Sequence, residues 1–332
     1  MKICICGGGS LGIVCAGYFL NQGHDVRILS GHPEKWKNEI SVFGPDGEVF
    51  SGILTQVSSN PEDIVSDADI ILLCLPGYMI EKTLCSVSRF IRPDSIVGSI
   101  VSSTGFFFIA HKVLSNNTKL FGFQRVPFIS RIREYGISGD LLGYKKSLNV
   151  AIENCSDVEG LRKNLESLFK TPVRVLDNFY EASLTNSNPI LHTGRLYSMW
   201  KNYDEEIYLH QSQFYSDWTD DASEVLIAMD EEFMKLVKSL HISDGAIPSL
   251  LEYYESTDAA SLTRKIKSIQ AFKGILSPMK EVPNGWIPDF GSRYFTEDFP
   301  FGLRFIKELS SLHNIPTPTI DKVYEWGMSK IR

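Results

Sequence analysis

The sequence predicts an α/β protein, a doubly wound and mainly parallel sheet followed by a mainly α-helical second domain. Three observations predict it. From Met1 to about Asp177, short apolar runs alternate with helical patterns, as expected for parallel strands joined by crossover helices. Residues 69–75, Asp-Ile-Ile-Leu-Leu-Cys-Leu, are apolar after the first, as in a strand buried on both faces. After about Asn178, strand-like runs nearly vanish and helical spacing takes over. The expected domains are therefore 1–178 and 179–332.

Taken in order, Lys2–Cys6 is an apolar run closed by glycines and reads as the first strand. Leu11–Gln22 has helical spacing and Asp25–Ser30 is strand-like again. After the buried run at 69–75, Tyr78–Ile91 reads as a helix and Ser95–Val101 as a strand. Lys119–Phe123 and Ser147–Ile152 add strands. Val158–Phe169 is amphipathic and is followed by strand-like Val173–Leu176. The second half offers helices at about Pro189–Trp200, Asp221–Leu240, Pro248–Glu255, Ala259–Phe272, Phe301–Leu312 and Thr319–Ser329, punctuated by the prolines and glycines of Pro278–Gly291.

With 332 residues the chain can form two sizeable cores, and 43% hydrophobic with 22% charged residues is ordinary for a globular protein. The net charge of −7 argues against a nucleic-acid partner. None of the six cysteines forms a CxxC pair, and Cys4, Cys6 and Cys74 lie in apolar runs suited to buried free thiols. A reducing, cytoplasmic setting is expected, because the first residues enter a strand with no basic leader or cleavage pattern. No apolar run reaches bilayer length, so no membrane association is expected. No His, Cys and carboxylate cluster has metal spacing, so no metal is expected.

Cys6-Gly7-Gly8-Gly9-Ser10-Leu11-Gly12 contains Gly-x-Gly-x-x-Gly after a strand and at a helix start. This is the dinucleotide fingerprint in its required context. Gly7 permits a tight turn, Gly9 lets a pyrophosphate approach, and Gly12 lets the helix lie close to the strand. The N–H groups at the start of the helix, from Ser10 and Leu11, face the phosphates with the positive end of the helix dipole. The predicted sheet is thus Rossmann-type, with a nicotinamide dinucleotide as cofactor. An NAD site commonly has an acid at the end of the second strand, whereas this chain has Leu29-Ser30-Gly31-His32. Ser30, His32 and Lys35 suit a 2′-phosphate and tilt the expectation slightly to NADP(H), while Glu34 suits an NAD ribose. Leu75-Pro76-Gly77 ends the next buried strand, and Pro76 is expected beside the nicotinamide ribose, with a plain turn as the competing reading.

Two later segments carry candidate chemistry. Asn188-Pro189-Ile190-Leu191-His192 enters a helix whose first turn accepts Pro189. Ser292-Arg293-Tyr294-Phe295-Thr296-Glu297-Asp298-Phe299-Pro300-Phe301-Gly302-Leu303 sets a guanidinium, two carboxylates and aromatics beside another helix start. Read alone, His192 suits a structural role, Asp298 a helix cap and Arg293 a surface position as readily as a catalytic set. Gln124 and Arg125 follow a strand, and either is a candidate to reach substrate from the first domain, with an interdomain surface position as the alternative. Trp200, Trp286 and Tyr294 are candidates to wall a pocket or to fill a core.

The glycine fingerprint, Asn188-Pro189-x-x-His192 and Arg293-Tyr294-x-Thr296-Glu297-Asp298-x-Pro300-x-Gly302-Leu303 together resemble the opine dehydrogenases. A more distant likeness, to 2-ketopantoate reductases and glycerol-3-phosphate dehydrogenases, covers only the general architecture. The opine dehydrogenase resemblance implies an NAD(P)-dependent oxidoreductase acting on CH–NH bonds. Its partners would be a small-molecule amine, usually an amino acid, and a 2-oxo acid, with the substrate in a cleft between the domains. His192 would then exchange the proton, Asp298 would orient it, and Arg293 would hold a substrate carboxylate. Gln124 and Asn188 are further candidate substrate contacts outside that carry-over. A ketopantoate-type 2-oxo acid reductase and a non-catalytic dinucleotide sensor are the rival readings. Self-association as a homodimer is left open.

Overall fold

The computed structural model describes residues 1–240 and 242–331. The chain divides into two compact units, Met1–Ser183 and Leu184–Arg332.

The strands of the first unit are, in chain order, β1 (Lys2–Cys6), β2 (Asp25–Leu29), β3 (Glu39–Phe43), β4 (Val49–Ile53), β5 (Gln56–Ser58), β6 (Ile70–Leu73), β7 (Ile96–Ile100), β8 (Lys119–Phe123), β9 (Phe128–Glu134), β10 (Ser138–Tyr144), β11 (Leu148–Glu153) and β12 (Val173–Val175). Among the described residues, eight of them form one sheet in the order β12-β11-β8-β7-β6-β1-β2-β5. All its pairings are parallel except β8 with β11. Every residue of β6 is buried, as its unbroken apolar run requires. From β1 the chain runs outward to β2 and β5, then returns to β6 on β1's other side. The strand order therefore reverses between β1 and β6. In such sheets ligands sit beyond the carboxyl ends of the strands at this reversal.

A second sheet, β4-β3-β10-β9, lies in the same unit and is absent from the sequence expectation. The helix Ser10–Leu20 explains where it lies. Gly12 to Phe19 are all buried, and a helix apolar all round needs cover on every side. Gly17 approaches Val42 of β3 so closely that an added Cβ would sit 2.5 Å from its side chain.

The second unit is mainly helical. Asn188–Trp200, Asp220–Ser239, Ala259–Ser268 and Pro318–Lys330 pack together. Buried Glu232 on the second of these accepts from the N–H groups of Thr319 (2.8 Å) and Ile320 (2.9 Å), capping the last helix from a neighbour. Two expectations need correction here. The 278–291 segment contains a hairpin of β13 (Met279–Val282) and β14 (Gly285–Pro288). The helix expected from Phe301 is a π-helical turn, Phe299–Leu303, running into Arg304–Leu312. Pro300, near the start of that turn, has no N–H to give to a ladder. Among the described residues no helix is long and apolar enough to cross a membrane.

Candidate active site

The first unit holds a cavity of about 670 Å3 lined by Gly7, Gly8 and Gly9 after β1, Ser30 to His32 after β2, and Cys74 to Pro76 after β6. It occupies the reversal point of the sheet. Gly7 has φ +113°, and an added Cβ would fall 2.6 Å from the Cys74 carbonyl oxygen. At Gly12 an added Cβ would fall 2.0 Å from the Gly7 carbonyl oxygen. Only glycine fits either place. At Gly9 an added Cβ would meet nothing within 4 Å, so space is open beside the backbone. The helix begins at Ser10 and Leu11 with no side-chain cap and no acid in its first turn. Its N–H groups are available to an anion. Pro76 caps the helix Gly77–Val87 and borders the cavity.

Ser30 lines the cavity and also has partners within the protein. Its hydroxyl accepts from Trp36 Nε1 (3.2 Å) and the His32 N–H (3.1 Å) and meets the Tyr135 hydroxyl at 3.3 Å. It braces Trp36 and Tyr135, which close over Gly8. Among the residues lining the cavity none is acidic, while His32 and Lys82 supply the basic character. Lys35 and Glu34 do not line it; Glu34 is exposed and lies 3.4 Å from His32.

The second unit brings His192 and Asp298 together. His192 lies one turn into the helix Asn188–Trp200, and its Nδ1 meets Asp298 Oδ2 at 2.8 Å. The two side chains are 12% and 19% exposed, so the bond is shielded yet reachable. Asp298 precedes the π-helical turn but makes no side-chain cap there. The turn comes close because residue 302 is glycine, where an added Cβ would stand 2.7 Å from Pro189 Cγ. A carboxylate only accepts, so Nδ1 carries a proton, and Nε2 of the neutral ring is then an acceptor.

That acceptor meets the Tyr215 hydroxyl at 2.9 Å. Tyr215 is buried, and burial, with Tyr294 as the next cause, pushes its phenol well above the usual tyrosine range. Its ring stacks on Phe272 (4.1 Å between centroids) and Trp218 (6.1 Å). Buried Arg195 donates through Nε to the Phe214 carbonyl (3.1 Å) and through Nη2 to the Asp217 carbonyl (2.7 Å). It thus clamps the segment that carries Tyr215. Burial lowers the Arg195 guanidinium to about 10, with Asp217 opposing the shift. Tyr294 places its ring 4.8 Å from that of His192, and Phe214 meets His192 edge-on at 5.7 Å.

The remaining candidates are spread more widely. Arg293 opens the short helix Arg293–Thr296 beside Tyr294 and is exposed. Among the described residues its guanidinium has no hydrogen-bond or ion-pair partner. Asn188 starts the helix of His192, is exposed, and lies one turn before His192 on the same face. Gln124 belongs to the first unit. There its Nε2 donates to the Glu181 carbonyl (3.3 Å) and its Oε1 accepts from Asn149 (3.0 Å), bonds that engage its amide within that unit. Trp200 is core, stacked on Phe295, and Trp286 lies in β14. Tyr215 escapes sequence reading; Arg195 is visible there only as a neighbour of His192 on its helix, not as the group that holds the 214–217 backbone. The aromatic run Phe214-Tyr215-Ser216-Asp217-Trp218 was a visible signal, but nothing in its spacing ties it to His192.

Comparison with known proteins follows this division. The family described as NAD/NADP octopine/nopaline dehydrogenase, alpha-helical domain, matches residues 175–331. The family described as NADP oxidoreductase coenzyme F420-dependent matches residues 2–103. Octopine dehydrogenase of Mizuhopecten yessoensis is 26% identical over 363 residues, covering 100% of this chain and 90% of its own. Tauropine dehydrogenase of Arabella iricolor is 26% identical over 365 residues, covering 97% and 89%. An octopine dehydrogenase solved with NADH and L-arginine shares the fold, with a TM-score of 0.89 at 24% identity, covering 100% of this chain and 89% of that one.

Proposed function

We propose that the chain is an opine dehydrogenase, like the relatives it is similar to over its whole length, and that it reduces the imine formed between an amine, usually that of an amino acid, and a 2-oxo acid. The observation that carries this reading is the His192–Asp298 pair at 2.8 Å, with Arg293 opening the short helix just before Asp298. When bound at the Gly7–Gly9 loop, a nicotinamide dinucleotide supplies the hydride. His192 manages the proton that must reach the amine nitrogen. An imidazole can both take up and release a proton, which is the chemistry this step needs. Asp298 fixes the ring tautomer and favours the imidazolium when it forms. Arg293, exposed and without a partner among the described residues, is suited to grip the oxo-acid carboxylate in bidentate fashion and so orient the prochiral carbon. Asn188, on the same helix face as His192, is suited to a polar substrate group. The direct test is NAD(P)H oxidation over a matrix of amines and 2-oxo acids. The reading expects oxidation to require both. Oxidation by a 2-oxo acid alone, unchanged by any amine, would make the chain a ketopantoate-type reductase instead.

For the cofactor we propose that NADPH binds at least as well as NADH. His32 and Lys82 border the cavity and no acid does, so a 2′-phosphate meets no repulsion there. Fluorescence titration with both cofactors tests this. A tenfold preference for NADH, about 1.4 kcal/mol, contradicts it.

A further inference from the structure

We propose that Tyr215 is a proton relay, the group through which His192 exchanges its proton with the reacting nitrogen. The proposal rests on the imine-reducing reading above. Both ring nitrogens of His192 are taken, Nδ1 by Asp298 and Nε2 by the Tyr215 hydroxyl. A proton leaving the imidazolium through Nε2 therefore passes to the Tyr215 oxygen unless Tyr215 moves away. Tyr215 is not free to move. Its ring is stacked on Phe272 and Trp218, its neighbour Phe214 packs edge-on against it at 4.9 Å, and Arg195 holds the backbone on both sides.

The hydroxyl has the chemistry a relay needs. It is donor and acceptor at once, so it can donate to the neutral ring and accept from the charged one. Burial, with Tyr294 and Asp298 nearby, keeps it from ionising, so it gives up its proton only as it receives another. The groups facing it are Tyr294, Tyr254, Asp298 and His192. Among them His192, held by Asp298, is the partner built to exchange a proton with it. In the reductive direction, hydride adds to the imine carbon and the Tyr215 proton goes to the nitrogen. The O–H bond of Tyr215 breaks as the proton on His192 Nε2 forms a new one. His192 ends neutral and is recharged from water. One imine, one hydride and one proton give one secondary amine.

Tyr215→Phe tests this, because the phenyl ring keeps the stacking and removes only the hydroxyl. The relay predicts a fall in kcat of about 100-fold or more, the usual scale of a positioned proton donor, with cofactor affinity and thermal midpoint nearly unchanged. It also predicts that the parent enzyme's kcat depends on the deuterium fraction of the solvent along a curve, because two protons move in one step. A Tyr215→Phe enzyme within about threefold of the parent, or a straight-line dependence, overturns the relay and leaves His192 to act directly. A large loss of melting temperature in Tyr215→Phe makes the solvent-isotope curve of the parent the deciding result. A parent that turns over no amine and 2-oxo acid pair overturns the imine reading and the relay with it. An active parent beside an equally active Tyr215→Phe overturns the relay alone.

Discussion

At the scale of single residues, the candidate site is a set of groups that each fill one half of a bond. Asp298 can only accept and Nδ1 of His192 donates to it; Tyr215 can do both and serves Nε2. His192→Ala is expected to lower turnover by about 100-fold or more while cofactor affinity, measured by fluorescence titration, stays nearly constant. Asp298→Asn should also cut turnover, because an amide does not stabilise the imidazolium as a carboxylate does. Its melting temperature is the control. Full activity in Asp298→Asn would reduce Asp298 to a loop residue. Arg293→Ala should mainly raise the KM for the oxo acid, since the carboxylate it is assigned to is present in ground state and transition state alike; a pure kcat effect would reassign it. Ser30 gives a sharper test of the cofactor end. Its hydroxyl braces Trp36 and Tyr135, so Ser30→Ala should weaken NADPH and NADH by the same factor. A selective loss of NADPH would restore Ser30 as a phosphate contact.

At the scale of elements, the site depends on how closely segments approach. The π-helical turn Phe299–Leu303 brings Asp298 to the helix of His192 with Gly302 against Pro189. A methyl there meets ring carbons at overlapping distance, so Gly302→Ala should cost about 1–3 kcal/mol and lower turnover together, read by denaturant melts and steady-state rates. Loss of stability with full activity would show that the pair tolerates the shift. Asp230 shows the opposite device. It is buried on the helix Asp220–Ser239 and accepts from the Leu250 N–H at 2.8 Å. Burial nevertheless raises its carboxyl to about 6, outweighing that bond. The folded state then holds its proton more tightly than the unfolded chain, so this group's contribution falls as pH rises from about 4 to about 6 and stays low above. Asp230→Asn keeps an acceptor and removes the charge. Its stability relative to the parent should rise across that window by something on the order of 2 kcal/mol and stay level at higher pH. A difference that does not change with pH would contradict this.

At the scale of the whole molecule, the division of labour was legible in sequence where a segment's signal is local. The fingerprint glycines, the buried run of β6 and the change of periodicity after Asn178 each declare themselves within about ten residues. The second sheet did not. Its strands are partly exposed, with β4 and the end of β9 largely facing outward, so their pattern is faint. The nearly unbroken apolar run of residues 11–20 is the one indirect sign in the sequence that another layer covers that helix. The His192–Asp298 pair was legible only through resemblance to a family, because 106 residues separate its members. Tyr215 was not legible at all, and Arg195 only as a neighbour of His192 on its helix, since their roles exist only once the 214–218 segment is folded against that helix. The claim that unites these scales is that the chain joins an amine to a 2-oxo acid. The most direct test is the mass of the product made from one 2-oxo acid and one amino acid with NADPH in excess. The account predicts a secondary amine equal to the two substrates less one water plus two hydrogens, formed by the parent and lost in His192→Ala. The hydroxy acid alone, formed at the same rate without the amino acid, would contradict it.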